Sequence, residues 1–201
     1  MKKFLWISLG SIVVLALLFQ GWVMYISDTE EQPYEVLTTF DEVEIRHYPP
    51  ARMISVQTPT DTSRRGNDGQ FRVLANYIFG GNEREEKFAM TAPVHMEQEE
   101  NSRRMSFVLP QSAWQDSLPT PNDSAVQMHW SKDDYVAAIR YSGYTNPQLE
   151  AEYQKKIIEV LKEQGIRHYG NFRSLGYDPP FKMNDRRNEV IVSIDPESKA
   201  F

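Results

Sequence analysis

A pattern of strands and a helix recurs along the chain at a constant offset of 83 residues, and this offset limits the possible folds more than any other feature. Apolar positions of the first half fall on apolar positions of the second: Val43 on Val126, Val56 on Ile139, Leu74 on Ile157, Ile78 on Leu161, and Phe107 on Val190. The basic pair Arg103-Arg104 falls on Arg186-Arg187. A fixed offset over four elements favours a duplication, although chance similarity between two amphipathic patterns remains the alternative because identities are few.

Each half predicts two strands, a helix and two further strands. In the first half, the strands are predicted at 43–45, 53–56, 87–96 and 103–109, with a helix over 69–79. In the second half, they are predicted at 126–130, 135–141, 172–177 and 189–194, with a helix that begins at Asn146-Pro147 and ends at Gly165. Two such units predict an α+β fold, in which an antiparallel sheet or open barrel of about eight strands carries two helices on its outside.

Composition excludes several classes of function. There is no cysteine, which rules out disulfides, thiolate zinc sites and cysteine nucleophiles. The net charge of −6 argues against nucleic acid as a partner and favours small ligands or proteins. Phosphate-binding glycine loops and the GxSxG hydrolase elbow are also missing from the sequence.

The amino terminus predicts a membrane anchor. Residues 4–26 carry no formal charge and, as a helix, span roughly 35 Å, enough to cross a bilayer. A cleaved signal peptide is the alternative, but it would have a shorter apolar region and a small-x-small cleavage site. Lys2 and Lys3 precede the span, so the body is expected on the periplasmic or extracellular side. The predicted organisation is an anchor over 1–27, a linker over 28–33 and one domain over 34–196.

The four histidines lack the spacing of a zinc site. His47, His95, His129 and His168 form no HExxH, HxH or HxxxH pair. Period-two alternation places His47 on the strand face that carries Val43 and Ile45. An imidazole at that position suits a haem iron, and a surface histidine beside Pro49-Pro50 is the alternative.

Several strings together resemble the SOUL/haem-binding protein family: YEVLTTFDEVEIRHYPPARMISV (34–56), NYIFGGNEREEKFAMTAPVHM (76–96), FVLP (107–110) and GYDPPFKMNDRRNEVIV (176–192). The resemblance covers essentially the whole body. It implies a distorted eight-stranded antiparallel barrel of two β-β-α-β-β repeats with two flanking helices, and a protein that binds haem or another tetrapyrrole without catalysis.

The resemblance also implies two sets of site residues. In one branch of the family the histidine of an IRHY string is the proposed axial ligand of the haem iron, and here that residue is His47. In the other branch haem lies in an apolar groove by the first helix, with its propionates near basic residues. Lys182 matches the lysine after the Pro-Pro turn, but Asp68 and Asn76 stand where basic helix residues are expected, and Arg72 is displaced along the helix.

The groove is expected against the face of the first helix, with two methionines as neighbours. Its expected residues are Phe71, Leu74, Ile78, Met90 and Met183. The alternative is that the helix residues simply form the core beneath the sheet.

The leading hypothesis is therefore a membrane-tethered protein that binds haem or a related tetrapyrrole as a carrier, buffer or sensor. No structural metal is expected. The alternative is an effector-sensing or protein-interaction module that holds another amphipathic ligand or a peptide in the same groove. An enzyme that degrades tetrapyrroles ranks third.

Overall fold

The computed structural model describes residues 29–60, 67–115, 117–179, 182 and 184–198. Except for residues 29 and 30, they belong to one compact unit, Glu31–Phe201. The described strands are β1 (Glu35–Phe40), β2 (Val43–Tyr48), β3 (Arg52–Pro59), β4 (Val94–Gln98), β5 (Ser102–Val108), β6 (Gln127–Trp130), β7 (Asp134–Ser142), β8 (His168–Gly176) and β9 (Arg187–Ile194). Two α-helices accompany them, α1 (Asn67–Ile78) and α2 (Pro147–Gln164).

All nine described strands join one antiparallel sheet in the order β1-β2-β7-β9-β8-β4-β5-β3-β6. Without β1, this order has a twofold symmetry between the repeats. The strands β2, β3, β4 and β5 of the first repeat occupy positions equivalent to those of β6, β7, β8 and β9 in the second, counted from the opposite end of the sheet. The first strand of each repeat pairs with a strand of the other repeat, since β2 pairs with β7 and β6 pairs with β3. The topology therefore agrees with a duplication, and the two halves meet where β4 pairs with β8.

Three details differ from the sequence prediction. The sheet has nine described strands rather than about eight, because Glu35–Phe40 adds β1 beside β2. The predicted strand over 87–96 begins only at Val94, and Lys87 makes a single bridge with Phe79. No pairing joins β1 to β6 among the described strands, so the sheet has two open ends where the resemblance implied a barrel.

The helix ends follow the predicted signals. The Asn146 side chain accepts a hydrogen bond of 2.9 Å from the Leu149 amide, and Pro147 occupies the first turn of α2. Gly165 ends α2 with a left-handed φ of 71°, where a residue without a Cβ is favoured. Gly80, two residues after the end of α1, also has a positive φ, of 107°.

Both helices cover the same face of the sheet, and each covers one apolar cluster. The cluster at α1 joins the helix residues Leu74, Tyr77 and Ile78 to the strand residues Ile54, Val56 and Phe107, among others. The cluster at α2 joins the helix residues Ile157 and Leu161 to the strand residues Val43, Ile45, Ile139 and Val190, among others. The positions related by the 83-residue offset thus occupy equivalent places in the two clusters, which explains why the pattern was visible in the sequence. The opposite face, called the far face below, carries a smaller cluster around Tyr48, Val136, Ala138, Leu175 and Ile191.

The predicted membrane localisation requires correction. Within the part of the chain that the structure describes, no helix is both long and apolar enough to cross a bilayer. The predicted span, residues 4–26, lies outside the described residues. The described part of the chain therefore does not support a single-pass membrane protein.

Candidate functional site

The helix residues expected to line a haem groove are divided between core and surface. Leu74 and Ile78 are 0% and 2% exposed and belong to the apolar cluster between α1 and the sheet. Phe71 is 37% exposed, and its ring lies edge-on to that of Phe107 with the centroids 5.1 Å apart. Of these three predicted residues, only Phe71 therefore offers a surface to a ligand.

The remaining groove residues also separate. Arg72 is exposed on α1, and Met90 is half-buried against the cluster under that helix. Asn76 is exposed on α1 as well. Met183 lies outside the described residues. The consecutive residues Phe71 and Arg72 thus give α1 a partly exposed aromatic ring and an exposed cation.

Lys182 lies in the connection between β8 and β9 and is already paired. Its Nζ is 2.7 Å from Asp178 Oδ1, and its amide donates to the carbonyl of Pro179 at 3.1 Å. The other carboxylate oxygen of Asp178 accepts from the amide of Arg187 at 2.6 Å. A propionate that bound Lys182 would have to compete with this carboxylate.

His47 lies on the helix-bearing face of β2, as the alternation predicted. Its ring stacks on Tyr135 of β7 with the centroids 4.7 Å apart, and its Nε2 lies 2.7 Å from Asp133 Oδ1. The side chain is 24% exposed. The nitrogen that commonly binds iron is therefore engaged by a carboxylate.

The structure does not bring His47 together with the α1 residues. His47 belongs to β2, whose apolar side chains lie in the cluster under α2. Phe71 and Arg72 belong to α1, and Met90 packs against the apolar cluster that this helix covers. Ligation by His47 and a groove at α1 are thus two different sites rather than two parts of one.

The far face holds a cavity of about 390 Å³, called the far-face cavity here. This volume lies within the range usual for small-molecule sites. Its apolar and aromatic lining consists of Tyr48, Met53, Trp130, Tyr169 and Ile191. Its other lining residues are Gln32, His95, Glu97, Arg104, Ser106, His129, Ser131, Lys132, Asp133, Asp134, Gly170, Asn171, Arg173 and Ser193. These residues combine apolar walls with charges of both signs.

Strand register sets the charges at the junction of the two repeats. Glu97 of β4 stands opposite Arg104 of β5 on one side and Arg173 of β8 on the other. Each arginine pairs with a different acid, since Arg104 is 2.7 Å from Glu99 and Arg173 is 2.6 Å from Asp134. Both guanidinium groups at the cavity are thus held by carboxylates other than Glu97.

Two histidines line the cavity, and both favour the neutral form. Burial, followed by the positive charge of Arg173, lowers the pKa of His95 to about 3. Its Nε2 lies 2.8 Å from Gln32 Oε1. Burial, followed by the charge of Arg104, also lowers the pKa of His129. Each imidazole therefore keeps an unprotonated nitrogen at neutral pH.

A buried network of charges and hydroxyl groups borders the cavity. Arg46 contacts Glu189 through Nη1 to Oε2 at 2.6 Å and Nη2 to Oε1 at 3.2 Å, and both side chains are almost fully buried. Tyr177 donates to Glu189 at 2.9 Å, and Tyr48, which lines the cavity, receives a hydrogen bond from Arg46. Burial opposes ionisation of Glu189, but the hydrogen bond and charge of Arg46 hold its pKa below the usual value. This wall is therefore charged and fixed.

Sequence reasoning did not single out the far-face residues. Arg104, Glu97 and Arg173 stand at polar positions of alternating strands, a pattern that usually marks a solvent face. Within the sequence, only the repeat relates these far-face positions to one another, since the 83-residue offset aligns His129 with Arg46 and Ser106 with Glu189. No cluster of three or more potential metal-binding side chains occurs within the described ranges.

Comparison with solved structures identifies the fold. The C-terminal domain of EcmrR matches with a TM-score of 0.57 at 8% identity, covering 81% of this chain and 98% of that domain. A hydrolase from Listeria innocua matches with a TM-score of 0.55 at 8% identity, covering 79% of this chain and 94% of that one. At such identities the likeness concerns the fold alone.

Comparison of sequences identifies the family. Heme-binding protein 2 of Mus musculus is 31% identical over 155 residues, which cover 73% of this chain and 75% of that protein. Heme-binding protein 1 of Xenopus laevis is 27% identical over 157 residues, which cover 73% of this chain and 80% of that protein. The family model described as SOUL heme-binding protein matches residues 29–193. The chain therefore belongs to the SOUL heme-binding protein family.

Proposed function

We propose that this chain binds haem or a related tetrapyrrole reversibly and catalyses no reaction on it. The observation that carries the proposal is the family match over residues 29–193, which covers every described strand except the last residue of β9. Relatives in mouse and frog are named as heme-binding proteins, and we extend that binding to this chain. A carrier, a buffer and a sensor all share this binding step.

The described residues fit a tetrapyrrole chemically. Haem requires a large apolar contact area, at least one ligand for its iron and cations for its two propionates. The far-face cavity supplies aromatic and aliphatic walls, neutral imidazoles at His95 and His129, and cations at Arg104 and Lys132. When bound, the haem would supply the iron chemistry, while the protein would supply the walls and set the access of water.

The two sites implied by the family resemblance meet obstacles in this fold. Ligation by His47 Nε2 requires its 2.7 Å contact with Asp133 to open. Binding at α1 relies on Phe71 and Arg72, because Leu74 and Ile78 lie in the core. Both remain proposals that haem binding by single variants would decide.

Titration of the full chain with haemin tests the function. Specific binding predicts a saturable Soret shift with one haemin per chain. A weak shift that does not saturate would contradict the proposal and leave an interaction module for another amphipathic ligand as the better hypothesis. The same titration after unfolding in urea is the control, because an unfolded chain retains its histidines but not the sites formed by the fold.

A further inference from the structure

The far-face cavity brings together groups that a tetrapyrrole requires. His129, on the edge strand β6, opens into it beside Met53, its partner in register on β3. Trp130 follows His129 on the same strand and is 46% exposed, with its ring set edge-on to Trp114 at 5.9 Å. The cavity thus has an imidazole next to an apolar wall and a partly exposed aromatic side chain beside it.

We propose that the far-face cavity is the tetrapyrrole site of this chain and that His129 is the residue that ligates the iron. The inference rests on the proposed function, but it places the ligand at residues that neither the family resemblance nor the sequence motifs assign. It also places the site on the face opposite α1 and α2, at the junction of the two repeats.

His129 is the best placed of the four histidines. His95 Nε2 is held by Gln32, and His47 Nε2 is held by Asp133. His168 is exposed at the first residue of β8 and does not line the cavity. The His129 ring makes one hydrogen bond with the Gln127 backbone, and an imidazole held in this way has a second ring nitrogen for a metal.

Cations for the propionates stand on the same lining. The side chain of Arg104 is 40% exposed, and Lys132 is exposed in the turn between β6 and β7. Two of the three carboxylates on the lining already have a partner: Asp134 contacts Arg173, and Asp133 contacts His47. The third, Glu97, stands in register between Arg104 and Arg173. A dianionic ligand would therefore meet Arg104 and Lys132 on this lining, while Glu97 is flanked in register by two arginines.

The substitution His129→Ala in the full chain tests iron ligation. We expect a changed ferric Soret position and at least a tenfold loss of haemin affinity, since one axial ligand is removed. His168→Ala is the matched control and is expected to leave both unchanged. An unaltered spectrum and affinity in His129→Ala would overturn the assignment of the ligand.

A second variant tests the cavity independently of the iron and of folding defects at β6. Asn171 is exposed at the rim, so Asn171→Trp would fill the opening without disturbing the core. We expect it to weaken both haemin and iron-free protoporphyrin IX by tenfold or more, whereas His129→Ala should weaken haemin far more than protoporphyrin IX. Asn122→Trp, at an exposed position outside the cavity, is the control for the added ring.

The outcomes separate the two proposals. If the unsubstituted chain binds no haemin, the proposed function fails. If it binds haemin with unit stoichiometry and neither His129→Ala nor Asn171→Trp changes the binding, the function stands and the far-face site is overturned. Unchanged melting temperatures in both variants would exclude loss of fold as the cause of weakened binding.

Discussion

Arg46 and Glu189 form a buried, bidentate ion pair that reaches across β7 on the far face, with contacts of 2.6 and 3.2 Å. At the positions related by the 83-residue offset, the other half of the sheet carries His129 and Ser106. Arg46 and Glu189 fill their side of the far face with an ion pair, whereas His129 and Ser106 line the cavity. The two repeats thus share one topology and differ at these far-face positions.

The ion pair predicts a large cost for removing one partner. Arg46→Met would leave the buried Glu189 carboxylate with Arg187 as its remaining counter-ion, and we expect a loss of about 3 kcal/mol in the free energy of unfolding, at the lower end of the cost of breaking a buried pair. Replacing both partners, as in Arg46→Met with Glu189→Leu, is expected to recover much of this loss because Arg187 keeps its ion pair with Glu31 when Glu189 is replaced. Urea unfolding at pH 7 measures both variants. Equal destabilisation by the single and the double variant would contradict this interpretation.

The two halves of the core predict matched costs. Leu74 and Ile157 are both 0% exposed and related by the offset, so Leu74→Ala and Ile157→Ala should each cost about 2–5 kcal/mol. Phe71→Ala is expected to cost less, since that ring is 37% exposed. Below its melting temperature, Leu74→Ala should keep its haemin affinity. A specific loss of affinity at unchanged stability would instead place the site at α1.

The duplication made most of the fold predictable from the sequence. Both helices and eight of the nine described strands fall at or near segments that the periodic pattern marks, because each buries a regular stripe against the sheet. β1 escaped prediction because it is an edge strand whose side chains are exposed or half-buried, so its sequence lacks clear alternation. Leu74 and Ile78 show a further limit of the sequence, because an apolar helix face has the same pattern whether it covers a ligand or a sheet.

The far-face cavity was not predictable in the same way. Its lining comes from eight strands, the turn between β6 and β7, and Gln32 ahead of β1, and only strand register brings Arg104, Glu97 and Arg173 into one row. A histidine such as His129 carries no local motif that distinguishes a lining residue from a surface residue. The sequence therefore indicates the family and its ligand class more directly than the place of binding.

The lowered pKa of His95 predicts that the folded chain loses stability in mild acid. Its pKa is about 3 in the folded chain and about 6.5 when unfolded, so the unfolded chain binds more protons between these values. Stability should therefore fall as the pH drops below about 6.5, by about 1–2 kcal/mol between pH 7.5 and pH 5. His95→Gln should show a smaller fall over the same range in urea unfolding. A slope equal to that of the unsubstituted chain would rule out His95 as its source.

His47 allows a direct comparison between the ligand implied by the family resemblance and the ligand proposed from the geometry. Because its Nε2 is held by Asp133 and its ring stacks on Tyr135, we expect His47→Phe to keep the stacking and to leave the ferric Soret position unchanged. The lost contact with Asp133 is partly exposed, so the change in unfolding free energy should stay below about 1 kcal/mol. Asp133→Asn provides the complementary measurement. If His47 were the ligand, weakening its contact with Asp133 would tighten haemin binding, and His47→Phe would shift the Soret band; both results together would return the iron to His47.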